Sequence, residues 1–267
     1  MSSVPLSSLD AVILGVVQAL TEFLPVSSSG HLVLAQHLLG IDTGGGALFE
    51  IAVHVGTLMS VLIMLRAPII SLIIGGLRPH KAGNEWWSEM KFLIIGTIPA
   101  GLFGVMFKDH LEHLFGNLAA VGFSLCLTGI ILLSTLRLTP TRIDLKPIDG
   151  FWIGLSQALA ILPGVSRSGS TISAALWLGI ERTRAAQLSF LLSVPVVGGA
   201  AILKLKDLYH APINPQLITP LCIGAFTSFI VGLGALWVML KWLTRPSFGY
   251  FGHYCLIAGI LALFFAI

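Results

Sequence analysis

Six nearly unbroken apolar runs dominate the chain, at 47–65, 92–107, 116–136, 187–203, 217–240 and 249–267. Each is close to the ~17–25 residues a helix needs to cross the hydrocarbon of a bilayer. In lipid every backbone N–H and C=O must find its partner inside the protein, so only helices and closed barrels can cross. Barrel strands alternate apolar and polar residues, and these runs do not. The runs therefore read as helices. Composition agrees: 55% of the 267 residues are hydrophobic and 10% are charged, against about 25% charged in a soluble domain. The expected fold is an all-α polytopic membrane protein, one integral-membrane domain over 1–267, partnered by the bilayer.

The net charge of +3 is too small to suggest nucleic-acid binding and fits a modest basic bias of cytoplasmic loops. Cys126, Cys222 and Cys255 lie inside apolar runs without metal-ligand spacing, and read as packing residues. The opening "MSSVPLSSLD" lacks a basic stretch, so no cleavable leader is expected. The segment Pro68–Leu77 is too short to span and is expected to lie in the interface or to re-enter.

Two regions break the pattern. Residues 8–40 and 150–181 are apolar at both ends and interrupted in the middle by Pro, Gly and Ser. Matched interrupted segments in two halves of a membrane chain point to re-entrant hairpins around a buried site. The match has a register. Under a shift of 139 residues Gly15, Gln18, Ala19 and Leu20 fall on Gly154, Gln157, Ala158 and Leu159. Ser27, Ser29 and Gly30 fall on Ser166, Ser168 and Gly169, and Leu39-Gly40-Ile41-Asp42 on Leu178-Gly179-Ile180-Glu181. An apolar chain repeats Gly, Leu and Ala by chance, but register-matched Gln and Ser are harder to produce that way. The sequence thus reads as an internal repeat, approximately 8–136 and 150–267, each copy one broken hairpin plus three spans.

Three spans per copy invert the second copy relative to the first. Arg66, Arg78, Lys81 and Lys91, then Arg137, Arg142 and Lys146, then Lys241 and Arg245 all fall on one side of the six-span scheme, which the positive-inside rule makes cytoplasmic. Lys204 and Lys206 dissent. The first hairpin then enters from outside, the second from the cytoplasm, both termini lie outside, and the two tips can meet.

The first tip reads "LTEFLPVSSSGH", 20–31. Gln18 and Glu22 are four apart and share a helix face. Pro25 disfavours helix at Leu24, so the helix should end there. Ser27, Ser28, Ser29 and Gly30 then supply hydroxyls and a cap for a helix expected to begin near His31. The second tip, "PGVSRSGSTIS" at 163–173, repeats the device and adds Arg167. A helix N-terminus offers free N–H groups to an anion, phosphate above all. An arginine at membrane depth is costly unless paired and so marks function; its fork of donors matches phosphate oxygens. Glu22, Ser28, His31 and Arg167 together suit phosphoryl transfer, with Ser28, His31 or a water as attacking group. The bland alternatives are hydroxyls that only cap helices, and a structural Glu22–Arg167 pair.

Other features weigh less. His110 and His113 with Asp109 and Glu112 read as a solvated connector, for want of further ligands. Glu50 and His54 share a helix face and approach the site or its entrance, or simply end a helix. Gly198-Gly199 and the small residues near 232–235 read as close helix packing.

At its two tips, "GVVQALTEFLPVSSSGH" (15–31) and "LPGVSRSGSTIS" (162–173), the chain resembles the undecaprenyl-diphosphate phosphatases, also called bacitracin-resistance proteins. That family carries an (E/Q)xxxE stretch leading into Ser-Ser-x-Gly-His, and a PGxSRSxxT stretch. Both occur here in order, and the resemblance extends over essentially the whole chain in length and hydropathy. It implies hydrolysis of undecaprenyl diphosphate, a polyprenyl diphosphate lipid, to the monophosphate carrier used in cell-wall synthesis, at the inner membrane with the site open to the outer side. It implies Glu22, Ser28, His31 and Arg167 as catalytic residues, and Gln18, Ser27, Ser29, Ser166, Ser168 and Thr171 as substrate-binding ones. It also implies help from a divalent cation, Mg²⁺ or Ca²⁺, with Glu22 as the candidate ligand, and no organic cofactor. Gln18 occupies a position that can be Glu, which puts a two-carboxylate cation site in doubt. The rival reading is a transporter or flippase of a phosphorylated lipid, since inverted repeats with broken helices also build carriers.

Overall fold

Where proline, glycine and serine interrupt the apolar pattern, the chain turns back on itself. The computed structural model describes residues 6–41, 47–81, 83–107, 114, 117–208, 215–243 and 245–266. Helix α1, Ser8–Phe23, starts in a capping box: the Ser7 side chain accepts from the Asp10 N–H, and the Asp10 carboxylate accepts from the Ser7 N–H. It ends one residue before Leu24, which is extended (φ −66°, ψ 145°) because Pro25 follows. Helix α2, Ser28–Leu39, begins earlier than the expected start near His31. Ser27 takes the cap and accepts from the Gly30 N–H, so Ser28 and Ser29 become the first helical turn instead of a loop.

The other helices are α3 Ala47–Met64, α4 Arg66–Leu77, α5 Asn84–Met106, α6 Leu118–Leu133, α7 Pro147–Leu159, α8 Arg167–Trp177, α9 Arg182–Leu208, α10 Pro215–Trp242 and α11 Phe251–Phe265. The last is continuous with a 3₁₀ turn, Pro246–Tyr250. Among the described residues the sole β-feature is a bridge between Arg142 and Ile180. The expected spans correspond in position to α3, α5, α6, α9, α10 and α11. By length and hydropathy Asn84–Met106, Arg182–Leu203, Pro215–Trp242 and Ser247–Phe265 can each cross a membrane. A fifth candidate is α3 joined to α4, a pair bent by 78°. Helix α6 is apolar but has 16 residues, about 24 Å at 1.5 Å per residue. Large apolar side chains on the outer faces, such as Phe226, Phe264 and Leu102, are more than half exposed, as lipid-facing residues are. The chain is thus a multi-pass, all-α membrane protein.

The two hairpins, α1–α2 and α7–α8, are held in the same way. A Cβ on Gly15 in α1 would lie 2.9 Å from the Gly224 carbonyl oxygen of α10. A Cβ on Gly154 in α7, its partner under the 139-residue shift, would run into the Gly96 carbonyl oxygen of α5. Each hairpin therefore presses backbone to backbone against a long helix from the other half of the chain, which only glycine permits. Of the expected packing glycines, Gly232 is close against Ser60, whereas Gly199 has nothing near it and Gly198 meets Leu58 only at 3.9 Å; α9 turns that pair away from a neighbouring backbone. The tips meet: the Ser168 hydroxyl donates to the Leu24 carbonyl at 3.2 Å, and a Cβ on Gly30 would sit 3.1 Å from the Gly164 Cα. Around them lies a core that includes Phe23, Val61, Phe92, Ile153, Ile172 and Phe190.

Several basic connections gather on one face. Ser88 donates to the Leu145 carbonyl at 2.8 Å, Arg184 pairs with Glu89, and Gly249 packs on Leu136. The side chains of Lys204 and Lys206, and the whole of residues 108–113, lie outside the described residues, so the dissenting lysines and the His110/His113 connector have no structural account.

Candidate active site

Glu22 is the hub of the two tips. It sits in the last turn of α1 and is 9% exposed. Its Oε1 lies 2.5 Å from Arg167 Nη2, across from the other hairpin. Its Oε2 accepts from the Ser28 hydroxyl at 2.5 Å and from Gln18 Nε2 at 3.1 Å. His54 of α3 brings Nε2 to 3.7 Å from the same oxygen, while its Nδ1 donates to the Glu50 carbonyl at 2.7 Å. One carboxylate thus accepts from three side chains, of α1, α2 and α8, with a fourth, His54 of α3, within 4 Å.

The two tips carry different side chains. Under the 139-residue shift Glu22 falls on Ile161, Ser28 on Arg167 and His31 on Ser170. The first tip supplies acid, hydroxyl and imidazole; the second supplies the cation. Placed tip to tip, they neutralise one another in a setting where an isolated charge is costly. Arg167 keeps Nη1 buried without a hydrogen-bond partner, a donor available to an anion.

The remaining sequence-selected residues separate into two groups. Ser27 and Ser166 cap α2 and α8 through the N–H groups of Gly30 and Gly169. Ser29 lies 3.3 Å from the Ser27 hydroxyl, and Ser168 lies 3.3 Å from that of Ser166. Thr171 donates to the Arg167 carbonyl at 2.8 Å and lies 2.6 Å from the Ser189 hydroxyl. These hydroxyls order the tips. His31 is turned elsewhere, with Nδ1 2.8 Å from the Ser27 carbonyl and Nε2 2.6 Å from the Tyr254 hydroxyl. Ser27 stands at φ 72°, the one non-glycine residue with positive φ among those described, whereas Ser166 has φ −75°. Strain of this kind gathers at functional sites.

A narrow crevice leads away from the cluster. Glu22, Arg167, Thr57 and Ser193 form its polar part, and Phe23, Leu58, Val61 and Val197 its apolar walls, with no room for a water molecule between them. Among the described residues no three His, Cys, Asp or Glu side chains converge on a metal-sized site, and both oxygens of Glu22 are engaged. Among the described residues, the donors at the tips do not by themselves make up a cation site.

Sequence reasoning marked His54 but did not join it to Glu22, and it passed over Tyr254, Thr128, Ser189 and Ser193. Thr128 bridges the Gly164 carbonyl and the Ser166 N–H at 3.0 Å each. Its signal was a threonine in a mostly apolar span, four residues after Ser124 on the same helix face. Tyr254 gave none, since it lies 223 residues from the histidine it touches.

A family model described as bacitracin resistance protein BacA matches residues 11–261. The chain belongs to this family. It is 40% identical over 265 residues to the undecaprenyl-diphosphatase of Desulfosudis oleivorans, covering 94% of this chain and 96% of that one. It is 39% identical over 265 residues to undecaprenyl-diphosphatase 1 of Bacillus cereus, covering 95% and 96%. With the undecaprenyl-diphosphatase of Methanobrevibacter smithii it shares 38% identity over 268 residues, covering 95% of each.

Proposed function

We infer that this protein hydrolyses undecaprenyl diphosphate to undecaprenyl phosphate and inorganic phosphate, returning the lipid carrier to cell-wall synthesis. The observation that carries the reading is the Ser28 hydroxyl on Glu22 Oε2, with Arg167 on the other oxygen of the same carboxylate. A site built only to bind a phosphorylated lipid has use for the arginine and the helix N-termini but none for a hydroxyl held by a base.

The geometry suggests the steps. The diphosphate draws Arg167 away from Glu22, using the free Nη1 and the N-terminal N–H groups of α2 and α8 for its oxygens. Ser28 Oγ attacks the terminal phosphorus as its proton passes to Glu22; the bond to the bridging oxygen breaks, and undecaprenyl phosphate departs with that electron pair. Arg167 offsets the charge on the equatorial oxygens. Water then splits the Oγ–P bond, phosphate leaves and Ser28 regains its proton. Glu22 is the residue of the tips that would hold a divalent cation, which would supply positive charge against the diphosphate. The basic connections on one face support placing that face in the cytoplasm of an inner-membrane protein, with the first hairpin open to the outer side.

The reciprocal packing of the hairpins favours one rival, a carrier of phosphorylated lipid whose halves rock about the tips. Ser28→Ala separates the two. As an enzyme, the purified variant still binds undecaprenyl diphosphate while phosphate release falls by about 10³-fold. Unchanged release would remove Ser28 from the chemistry, and the same assay with EDTA decides whether a cation belongs.

A further inference from the structure

His31 is the motif residue that the Glu22 cluster does not hold, and two other groups fix its ring. Nδ1 faces the Ser27 carbonyl oxygen at 2.8 Å. A carbonyl only accepts, so Nδ1 carries a proton and, in the neutral ring, Nε2 carries the lone pair. That nitrogen lies 2.6 Å from the Tyr254 hydroxyl. The two rings also stack, with centroids 5.5 Å apart and planes at 14°.

Helix α11 carries Tyr254 and is placed by close backbone contact with α6: a Cβ on Gly259 would lie 2.7 Å from the Gly122 carbonyl, and one on Gly252 would lie 2.6 Å from that of Gly129. The next residue, Cys255, directs its thiol at the Pro25 carbonyl, 3.7 Å away. So α11 touches the first hairpin on both sides of its turn, at Pro25 before the serines and at His31 after them. A half-exposed tyrosine on an outer helix is usually an interface anchor, its hydroxyl among water and headgroups. Here that hydroxyl is bonded to an imidazole three residues from Ser28, on the same face of α2.

We propose that Tyr254 is a positioning residue of the hydrolytic site, holding His31 in one tautomer and one orientation, one helical turn from Ser28. The inference rests on the phosphatase reading above. A phenol both donates and accepts. Tyr254 donates to Nε2 while His31 is neutral and accepts from Nε2–H once it is protonated, so the ring keeps its place as a proton comes and goes. The stack alone would leave the ring free to slide.

Tyr254→Phe keeps the ring and removes the oxygen. Two measurements on the purified full-length protein test the role: steady-state release of phosphate from undecaprenyl diphosphate, and the rate at which diethyl pyrocarbonate modifies the His31 peptide, read by mass spectrometry. The variant should melt with the wild type, lose about tenfold in kcat, the effect of one hydrogen bond, and show unchanged KM. His31 should react several-fold faster, because its lone pair is uncapped. Wild-type kcat together with a wild-type modification rate would make Tyr254 an anchor and overturn the proposal. A rise in KM alone would mean direct contact with lipid and would overturn it as well. So would a fall in kcat with His31 reactivity unchanged, since the effect would not run through the imidazole. A wild type that releases no phosphate would sink the phosphatase reading, and the modification rates would still decide whether Tyr254 caps His31.

Discussion

Ser27 does three things at once, and its backbone shows the cost. Its side chain caps α2, its carbonyl accepts from the His31 ring and from the His31 N–H, and its φ is 72°. Serine tolerates that geometry poorly and a β-branched residue far worse. Ser27→Gly should therefore relieve strain while losing the cap, and leave thermal stability nearly unchanged. Ser27→Val should lose about 1–3 kcal/mol and most of the activity, read by thermal unfolding in detergent and by phosphate release. At this scale the motifs were legible where chemistry and spacing coincide. Gln18 and Glu22 four apart announced a shared face, and Arg167 announced itself by the cost of burying it. The bonds that join them were not legible, because they form between hairpins. His54 shows the boundary well: spacing placed it on one face with Glu50, but only packing turns that face toward Glu22.

Helices here are positioned by glycines more than by side-chain interlock. Gly15 against α10 and Gly154 against α5 occupy matched places in the two halves, and a methyl group at either meets backbone that cannot swing aside. Gly154→Ala should cost about 1–3 kcal/mol from overpacking and lower activity by displacing the second tip. Gly101→Ala, at an α5 position with nothing within 4 Å, should be neutral or stabilising by up to about 1 kcal/mol. Thermal melts of the two variants beside the wild type check the contrast; equal melting would mean the contact is looser than its geometry. The broken hairpins were legible as elements because proline and glycine punctuate them. The start of α2 was not placed correctly, since a serine run can serve as loop or first turn, and the choice of Ser27 as cap depends on its strained backbone. Gly198-Gly199 shows the converse: a small pair in a span is read as packing, yet α9 presses it against no neighbouring backbone.

For the whole molecule, two halves of one chain meet tip to tip, each hairpin braced by a helix of the other half. Orientation in the membrane is tested by single cysteines in a background lacking Cys126, Cys222 and Cys255. Asp144→Cys and Gly83→Cys should react with a membrane-impermeant maleimide only after cells are opened, whereas Ser8→Cys should react in intact cells. The reverse pattern would place the first hairpin toward the cytoplasm. Apolar runs and loop charges made this architecture legible as a class, but the meeting of the tips required the fold. The central claim is that the Glu22 carboxylate, shared by Ser28 and Arg167, is the working centre of a diphosphate lipid hydrolase. Phosphate release from undecaprenyl diphosphate by the purified protein, measured beside Glu22→Gln, tests it most directly. The wild type should release phosphate, and the variant should be slower by at least about 10²-fold while still binding the lipid. A folded wild type that releases none, or a Glu22→Gln protein that keeps pace with it, would contradict the account.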